Sequence, residues 1–468
     1  MTSAETDTLT VALGELDGRL GPGGLLTRDD DLVRYETGPN RRSGRAAFVA
    51  RPATVDEVVE VLDWAFRHRI RLVPQGANSG LVAAAIPDQS GECGVLSTER
   101  LRERFDVDLT SRTLTVSAGW QLDEINDRLR EHGLQLPVEL GSSPSVGGMI
   151  GSNTAGAHVI KYGDVRHRTL GLRAVLANGA RTVVDALRPL RKCNEGLDVK
   201  QLFIGTAGAF GVVTDAVFEL APLPGSKATA WLAVPEPHVL DVLTTLERLC
   251  AGALSAYEVF SPVAMRLLLD RHPELATRIP THDTEFFVLA EISAPGGDAD
   301  ALLADGLEAV ALLGKMNDAR VGPPAHMWEV RHTLPLITQQ MDPVLTVDLS
   351  VTRSALLACR TAVFEQLAKR YPEIEPIDLG HYADGGFHLV MPLPESLAAD
   401  TRAVNALRDF VYDIVVRDHG GSFSAEHGIG PKNYAAYQRY VPENVRAVAG
   451  ALKSHFDPHN VLGSISLR

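Results

Sequence analysis

The chain has 468 residues, 45% of them hydrophobic and 22% charged, with a formal net charge of −14. That is the composition of a globular protein of two or three domains, and its acidic balance argues against non-specific binding to nucleic acid or to anionic membranes. Cys93, Cys193, Cys250 and Cys359 are far apart and form no C-x-x-C, which excludes thiolate zinc sites, iron–sulfur clusters and a disulfide framework from the expectation. The opening MTSAETDTLT has no basic-then-apolar leader and no apolar run reaches membrane-spanning length, so the expected location is cytoplasmic.

Leu9, Leu13, Leu16 and Leu20 recur at helical spacing, so the first 45 or so residues read as a helical lead-in. From Ala47 the pattern becomes β–α–β. Phe48 to Ala50 is a short strand, and Thr54 caps a helix from Val55 to His68 with Glu57 as its capping-box partner. Ile70 to Val73 reads as the next strand. Gly94 to Ser97 and Thr113 to Val116 are further strands, and Gln121 to His132 is a helix. Ala174 to Leu176 and Arg181 to Val184, joined by Asn178-Gly179, carry a hairpin signal. A strand follows from Gly211 to Thr214. Ala221-Pro222-Leu223-Pro224-Gly225 is the best linker candidate. Beyond it, strands near 230–234, 255–260 and 286–292 alternate with helices near 238–250, 262–269, 300–313 and 354–371, which predicts a second α+β domain with an antiparallel sheet. From Thr401 the chain reads as mostly helical, broken by a loop after Asp418.

Two stretches are too rich in small residues to build a core. The first is Pro74-Gln75-Gly76-Ala77-Asn78-Ser79-Gly80-Leu81; the second is LGSSPSVGGMIGSNTAGAHVIKYGD, from Leu140 to Asp164. Gly147, Gly148, Gly151 and Gly156 carry no Cβ to keep backbone N–H groups from an anionic ligand. Either stretch alone is a weak signal; together they suggest a cradle for a long phosphate-bearing cofactor.

His381 and His388 flank Ala383-Asp384-Gly385-Gly386 between apolar runs. With Asp384-Gly385 as a two-residue turn, 381 pairs with 388 and the histidines become direct cross-strand neighbours, Cβ atoms about 5 Å apart. Two imidazoles so placed suit one divalent cation. Downstream, Ser424-Ala425-Glu426-His427-Gly428-Ile429-Gly430 sets a Glu-His pair in a Gly-rich loop. Glu426 completes a two-His, one-carboxylate set, and His427 stays available as a base titrating near neutrality. The alternative is two satisfied polar histidines at strand ends and a solvated Glu-His loop. Arg331, early in a helix with Met327 and Trp328, is a candidate for bidentate carboxylate binding; otherwise it pairs with a nearby acid such as Glu329.

The two loops, the run LRKCNEGLDVKQLFIG from Leu190 to Gly205, the His-x6-His hairpin and SAEHGIG together resemble the FAD-linked oxidases of the vanillyl-alcohol oxidase type. Within them the resemblance is to the branch of D-2-hydroxyglutarate dehydrogenase, D-lactate dehydrogenase and the glycolate oxidase flavoprotein subunit, and it runs from about Tyr35 to about Leu462. It implies an α+β chain in three segments. Residues 1–225 form an FAD-binding domain, 226–418 an inserted antiparallel-sheet cap that takes substrate, and 419–468 a C-terminal helical segment returning to the FAD domain. It implies that Pro74 to Leu81, Ser142, Gly147, Gly148, Ser152, Asn153, Gly156, Gly211 and Val213 hold FAD. Ala77 and Asn78 stand where members with covalent flavin carry a His, so FAD is expected to be non-covalent.

The resemblance also implies that His381, His388 and Glu426 bind a divalent metal, zinc or manganese. His427 would take the substrate hydroxyl proton and Arg331 clamp the substrate carboxylate. The implied activity is oxidation of a D-2-hydroxy acid to the 2-oxo acid. Its partners are that anionic substrate and an electron acceptor such as an electron-transfer flavoprotein or quinone, with a homodimer compatible. The alternatives are an oxidase of another alcohol, sugar or amine using O2, or a non-catalytic FAD-binding subunit. The chain departs from the hydroxyglutarate dehydrogenase pattern at Pro335, Thr346 and Val390, where that pattern has Thr, Lys and Asn. The hairpin carries Ala383 and Gly386 for a Gly and an Asn, and the third loop is Thr206-Ala207-Gly208-Ala209-Phe210-Gly211 in place of SEGTLG. Loss of three polar carboxylate contacts points to a less polar 2-hydroxy acid.

Overall fold

A computed structural model describes residues 3–39, 43–250, 252–281 and 285–467. The chain divides into two compact units. One comprises Met1–Thr154, Asp164–Pro222 and His427–Arg468; the other comprises Ala155–Gly163 and Leu223–Glu426.

The first unit grows from the expected β–α–β pattern. Helix Val55–His68 begins at Thr54, whose hydroxyl accepts from the Glu57 N–H at 3.1 Å. The reciprocal half of the capping box is absent, because Glu57 instead takes the N–H of Ala53 at 2.7 Å. The helix buries Val58, Val61, Leu62, Trp64 and Ala65 against Phe48, Leu72 and Leu96. Each of the Val and Leu side chains contributes roughly 1.5–3 kcal/mol of apolar burial. Arg69, in the left-handed conformation, ends the helix, and the next strand is Leu72–Gln75, later than the expected 70–73 because it begins only where pairing to Gly94–Ser97 starts. The sheet order is Leu25–Leu26, Phe48–Ala50, Gly94–Ser97, Leu72–Gln75. The C-terminal tail caps the exposed edge of that sheet: Leu72 N donates to Val461 O and Gly463 N to Leu72 O.

A second, antiparallel sheet runs in the order Phe105–Asp108, Thr113–Ser117, Val212–Glu219, Thr169–Val175, Val183–Ala186. Its last two strands are the expected Asn178-Gly179 hairpin, with Gly179 at φ 72°. Helices Ser3–Asp17, Tyr434–Tyr440 and Glu443–Phe456 complete the unit. Leu16 is fully buried, and Leu20, also buried, lies just beyond its helix.

The second unit is a seven-stranded antiparallel sheet in the order Asp318–Gly322, Ser226–Val234, Phe286–Ala294, Leu254–Phe260, Ile377–Gly380, Gly386–Pro392, Val344–Ser350. Leu254–Phe260 and Phe286–Ala294 are buried at every position, so they read as apolar runs, not alternating ones. Helices cover both faces. Trp231, Phe260, Phe287, Leu289, Leu379 and Val390 pack with Met265, Leu268, Trp328, Leu334 and Ile337 of helices Pro262–Arg271 and Pro324–Gln340. On the other face Tyr257 donates to Val239 O, at the start of helix Val239–Leu249, at 2.5 Å. Among the described residues no helix is long and apolar enough to cross a membrane.

Candidate active site

In the first unit the two small-residue stretches meet. Ser145 caps helix Val146–Ser152, and its hydroxyl accepts from Gly148 N at 3.3 Å and from Ala77 N at 3.2 Å. A Cβ on Gly76 would lie 2.1 Å from Ser145 Oγ, so only glycine allows this approach. A third loop joins them: Gly205 N donates to Ile150 O and Ala207 N to Gly151 O, while Gly208, at φ 74°, packs on Pro74. Asn78, Asn153 and Ala207 adopt positive φ of 55°, 52° and 53°, a concentration of strained backbone typical of ligand loops. Gln75, Gly76, Ala77, Asn78 and Ser145, with Tyr35, Glu99, Gly119 and Gln121, line a cavity of about 190 Å³.

The other expected cofactor residues have mixed placements. Ser142 is exposed, and neither it nor Ser79, Gly80 or Leu81 lines that cavity. The Gln75 side-chain amide is committed to the Tyr35 and Ala85 carbonyls at 2.8 and 2.7 Å. Gly147 packs on Ala118, and Ser152 donates to Gly148 O at 3.0 Å. Asn153 bridges to Asp164 at 2.8 Å and to the Arg166 N–H at 2.9 Å. Gly211 lacks a Cβ because the Val175 carbonyl would be 3.0 Å from one; Val213 pairs with Ala174. Gly156 belongs to the second unit.

In the second unit the histidine hairpin forms with a different register. Leu379, not His381, pairs with His388, and Gly386 N returns to His381 O across a four-residue turn. Two local demands lengthen it. Tyr382 is buried with its hydroxyl on Asp378 at 2.9 Å, and the Asp384 carboxylate accepts from Gly386 N at 2.8 Å. A slip of two residues keeps every side chain on its face, so the histidines stay together as diagonal neighbours. Their ring centroids are 5.5 Å apart.

Both imidazoles turn Nε2 toward the same oxygen, Oε1 of Glu426, at 3.6 Å for His381 and 3.2 Å for His388. One donor atom from each of His381, His388 and Glu426 falls within a 4.8 Å cluster. Behind each histidine lies a second carboxylate. Glu258 Oε1 is 2.6 Å from His381 Nδ1, and Asp348 Oδ1 is 3.5 Å from His388 Nδ1. Asp348 also accepts the backbone N–H groups of Ala425 and Glu426, both at 2.9 Å, which fixes the turn carrying Glu426. Two imidazole nitrogens and a carboxylate oxygen, oriented by outer carboxylates, are a donor set that could hold zinc or manganese.

Burial opposes charge on Glu258, His381 and Glu426, yet their mutual attraction prevails. The positive charges of His381 and Arg331 hold the Glu258 carboxyl at about 2 against the burial that would raise it. Burial likewise resists protonation of His381, but Glu258 and Glu426 raise it well above the ordinary histidine value. Glu426 is pulled well below the ordinary carboxylate value, chiefly by His381, again against burial.

Arg331, on helix Pro324–Gln340, donates through Nε to Glu258 Oε2 at 2.5 Å. The nearby Glu329 pairs instead with Arg278. His427 follows Glu426 and opens the segment that clusters with the first unit. Sequence reasoning included Ser145 only as part of the stretch Ser142 to Gly156 and did not single out Glu258 or Asp348 as site residues. Glu258 had a readable signal, a lone carboxylate inside the apolar run LSAYEVF.

The comparisons agree with the two halves. Residues 46–185 match the FAD binding domain, and residues 224–465 match the FAD linked oxidases, C-terminal domain. The mitochondrial D-2-hydroxyglutarate dehydrogenase of Bos taurus is 30% identical over 95% of this chain and 81% of that protein. D-2-hydroxyglutarate dehydrogenase of Xanthomonas citri pv. viticola is 30% identical over 94% of this chain and 93% of that one. The solved structure of p-cresol methylhydroxylase with substrate bound superposes with a TM-score of 0.76 at 17% identity, over 98% of this chain and 96% of that one, a likeness of fold. An FAD-binding first half, an antiparallel second half and relatives matched along nearly the whole length have one reading: the chain belongs to the FAD-linked oxidases and is an FAD-dependent oxidoreductase.

Proposed function

We propose that this protein oxidises a D-2-hydroxy acid to the 2-oxo acid, with a divalent cation, zinc or manganese, held by His381, His388 and Glu426. The observation that carries this reading is the meeting of two Nε2 atoms on Glu426 Oε1 with carboxylates behind both rings. FAD, bound non-covalently, supplies the hydride acceptor, and the cation supplies the Lewis acid that makes a bound hydroxyl more acidic. His427 takes the hydroxyl proton. Arg331 commits Nε to Glu258 and offers its terminal nitrogens to the substrate carboxylate. Residues 1–225 with 419–468 serve FAD, and 226–418, with Glu426 and His427, serve the substrate.

The substrate side chain is less polar than a second carboxylate. Val390 sits in the apolar cluster with Ile377 and Leu379, and Thr346 pairs across from it. The electron acceptor is an electron-transfer flavoprotein, a quinone or another carrier. Four free cysteines, three of them buried, suit a reducing compartment such as the cytoplasm.

The test is an anaerobic screen of D- and L-2-hydroxy acids for bleaching of the flavin. A D-enantiomer is expected to reduce it, and His427→Ala to retain FAD while losing about 10²- to 10⁴-fold in reduction rate. Full reduction by metal-stripped enzyme would remove the cation from the mechanism. Bleaching by amines or sugars but by no hydroxy acid would sink the substrate class.

A further inference from the structure

Glu258 lies in strand Leu254–Phe260, is 1% exposed, and gives its two oxygens to two different groups. Oε1 meets His381 Nδ1 at 2.6 Å, and Oε2 meets Arg331 Nε at 2.5 Å. The partners come from separate elements, the turn after Ile377–Gly380 and helix Pro324–Gln340. In the neutral ring that a cation requires, a carboxylate facing Nδ1 keeps the remaining proton there and leaves the Nε2 lone pair for the cation. Nε2 is the atom that His381 turns toward Glu426. On Arg331, anchoring Nε sets the plane of the guanidinium and hence the direction of its remaining donors.

A second buried carboxylate provides a natural comparison. Glu291 accepts from Trp328 Nε1 at 2.7 Å, three residues before Arg331 on the same helix. Its other neighbours are His158 at 2.9 Å, Ser255 at 2.7 Å, Ser293 at 3.3 Å and Lys227 at 3.5 Å, none of them in the His381–His388–Glu426 cluster. Glu291 and Glu258 therefore both pin the helix to the sheet, but only Glu258 also holds a histidine of the cluster.

We propose that Glu258 is a positioning residue that sets both the cation-binding nitrogen of His381 and the aim of Arg331, so that one carboxylate builds the cation site and the anion site as a single rigid part. This rests on the metal-assisted reading given above. A glutamine at 258 accepts at one position only and turns N–H groups toward the other partner, so both alignments cannot survive the change.

The experiment uses full-length FAD-loaded protein stripped of metal, titrated with Zn²⁺ alone against a competing chelator. Glu258→Gln is expected to weaken Zn²⁺ binding about 10- to 100-fold with an unchanged flavin spectrum. Glu291→Gln should stay within about threefold of the wild type, since it loosens the helix without touching the ligands. Equal Zn²⁺ affinity in wild type and Glu258→Gln overturns the inference, as does an equal loss in both variants, which would mark a general effect of loosening the helix. A wild type that binds no Zn²⁺ brings down the metal reading itself, and does so before any variant is compared.

Should Glu258→Gln fail to fold, the wild type still decides. In the zinc-loaded protein with ¹⁵N-histidine, His381 is expected to carry its proton on Nδ1 and the metal on Nε2. Metal on Nδ1 would overturn the role of Glu258.

Discussion

Glu258 and Glu291, buried in the seven-stranded unit, stay charged because cations lie beside them, and that has a consequence at the residue scale. Glu291 is buried, yet the His158 bond and the charges of His158 and Lys227 hold its carboxyl at about 2 instead of 4.5, overcoming the burial that would raise it. Because the folded value lies below the unfolded one, its stabilisation is complete above about pH 4.5 and disappears as the pH falls through about 2. At about 1.4 kcal/mol per unit this amounts to roughly 3 kcal/mol at most. Chemical denaturation of wild type and Glu291→Gln across that window should show a shallower decline in the variant. Parallel curves would mean that Glu291 is not the group responsible. Asp348 makes a related point without a titration argument. One carboxylate faces His388 and holds two backbone N–H groups of the Glu426 turn, so it fixes where the proposed ligand Glu426 sits.

Among the elements, the hairpin matters most to the site, and Gly385 is its critical position. It adopts φ 90°, and a Cβ there would fall 2.0 Å from the Val351 carbonyl oxygen, which no L side chain tolerates without backbone movement. Gly385→Ala is expected to cost about 2–3 kcal/mol or more and to move the turn between His381 and His388. Thermal unfolding and metal content should fall together; a stable variant with full metal content would show that the turn does not set the histidines. Helix Pro324–Gln340 contributes in another way. Pro335 has no N–H to give the Arg331 carbonyl, so the helix is weakest one turn beyond Arg331. Trp328 and Arg331, bonded to Glu291 and Glu258, hold that part of it on the sheet.

At the scale of the whole chain, the FAD-binding unit is discontinuous in sequence and is closed by its C-terminus. Lys453 is fully buried, paired with Asp457 at 2.6 Å, and also donates to the carbonyls of Ala209 and Leu462, both at 2.8 Å. It thus ties the C-terminal segment to the loop whose Ala207 bonds to Gly151. Lys453→Met would remove the buried ion pair with Asp457 and the bonds to the Ala209 and Leu462 carbonyls, at a cost of about 3–5 kcal/mol. Scanning calorimetry should show a lower melting transition, with FAD released in the same step. Retention of FAD at the wild-type temperature would show that the tail is not coupled to the cofactor loops.

How much of this was legible in the sequence depended on distance along the chain. The Val55–His68 helix, the Asn178-Gly179 hairpin, the small-residue loops and the His pair are written in neighbouring residues, and local propensity and turn chemistry suffice to read them. The two histidines share a face because a strand repeats every two residues, a rule that survived a wrong register. Other features depend on partners that no local pattern names. The turn lengthened because Tyr382 found Asp378 inside the unit. Glu258 stands 123 residues from His381, and Asp348 stands 78 from Glu426. The sequence by itself determined which side chains could carry the chemistry. Only the tertiary structure decided which carboxylates back the histidines and which nitrogen each ring presents, because those choices arise where strands distant in sequence are brought side by side and buried charges must find one another.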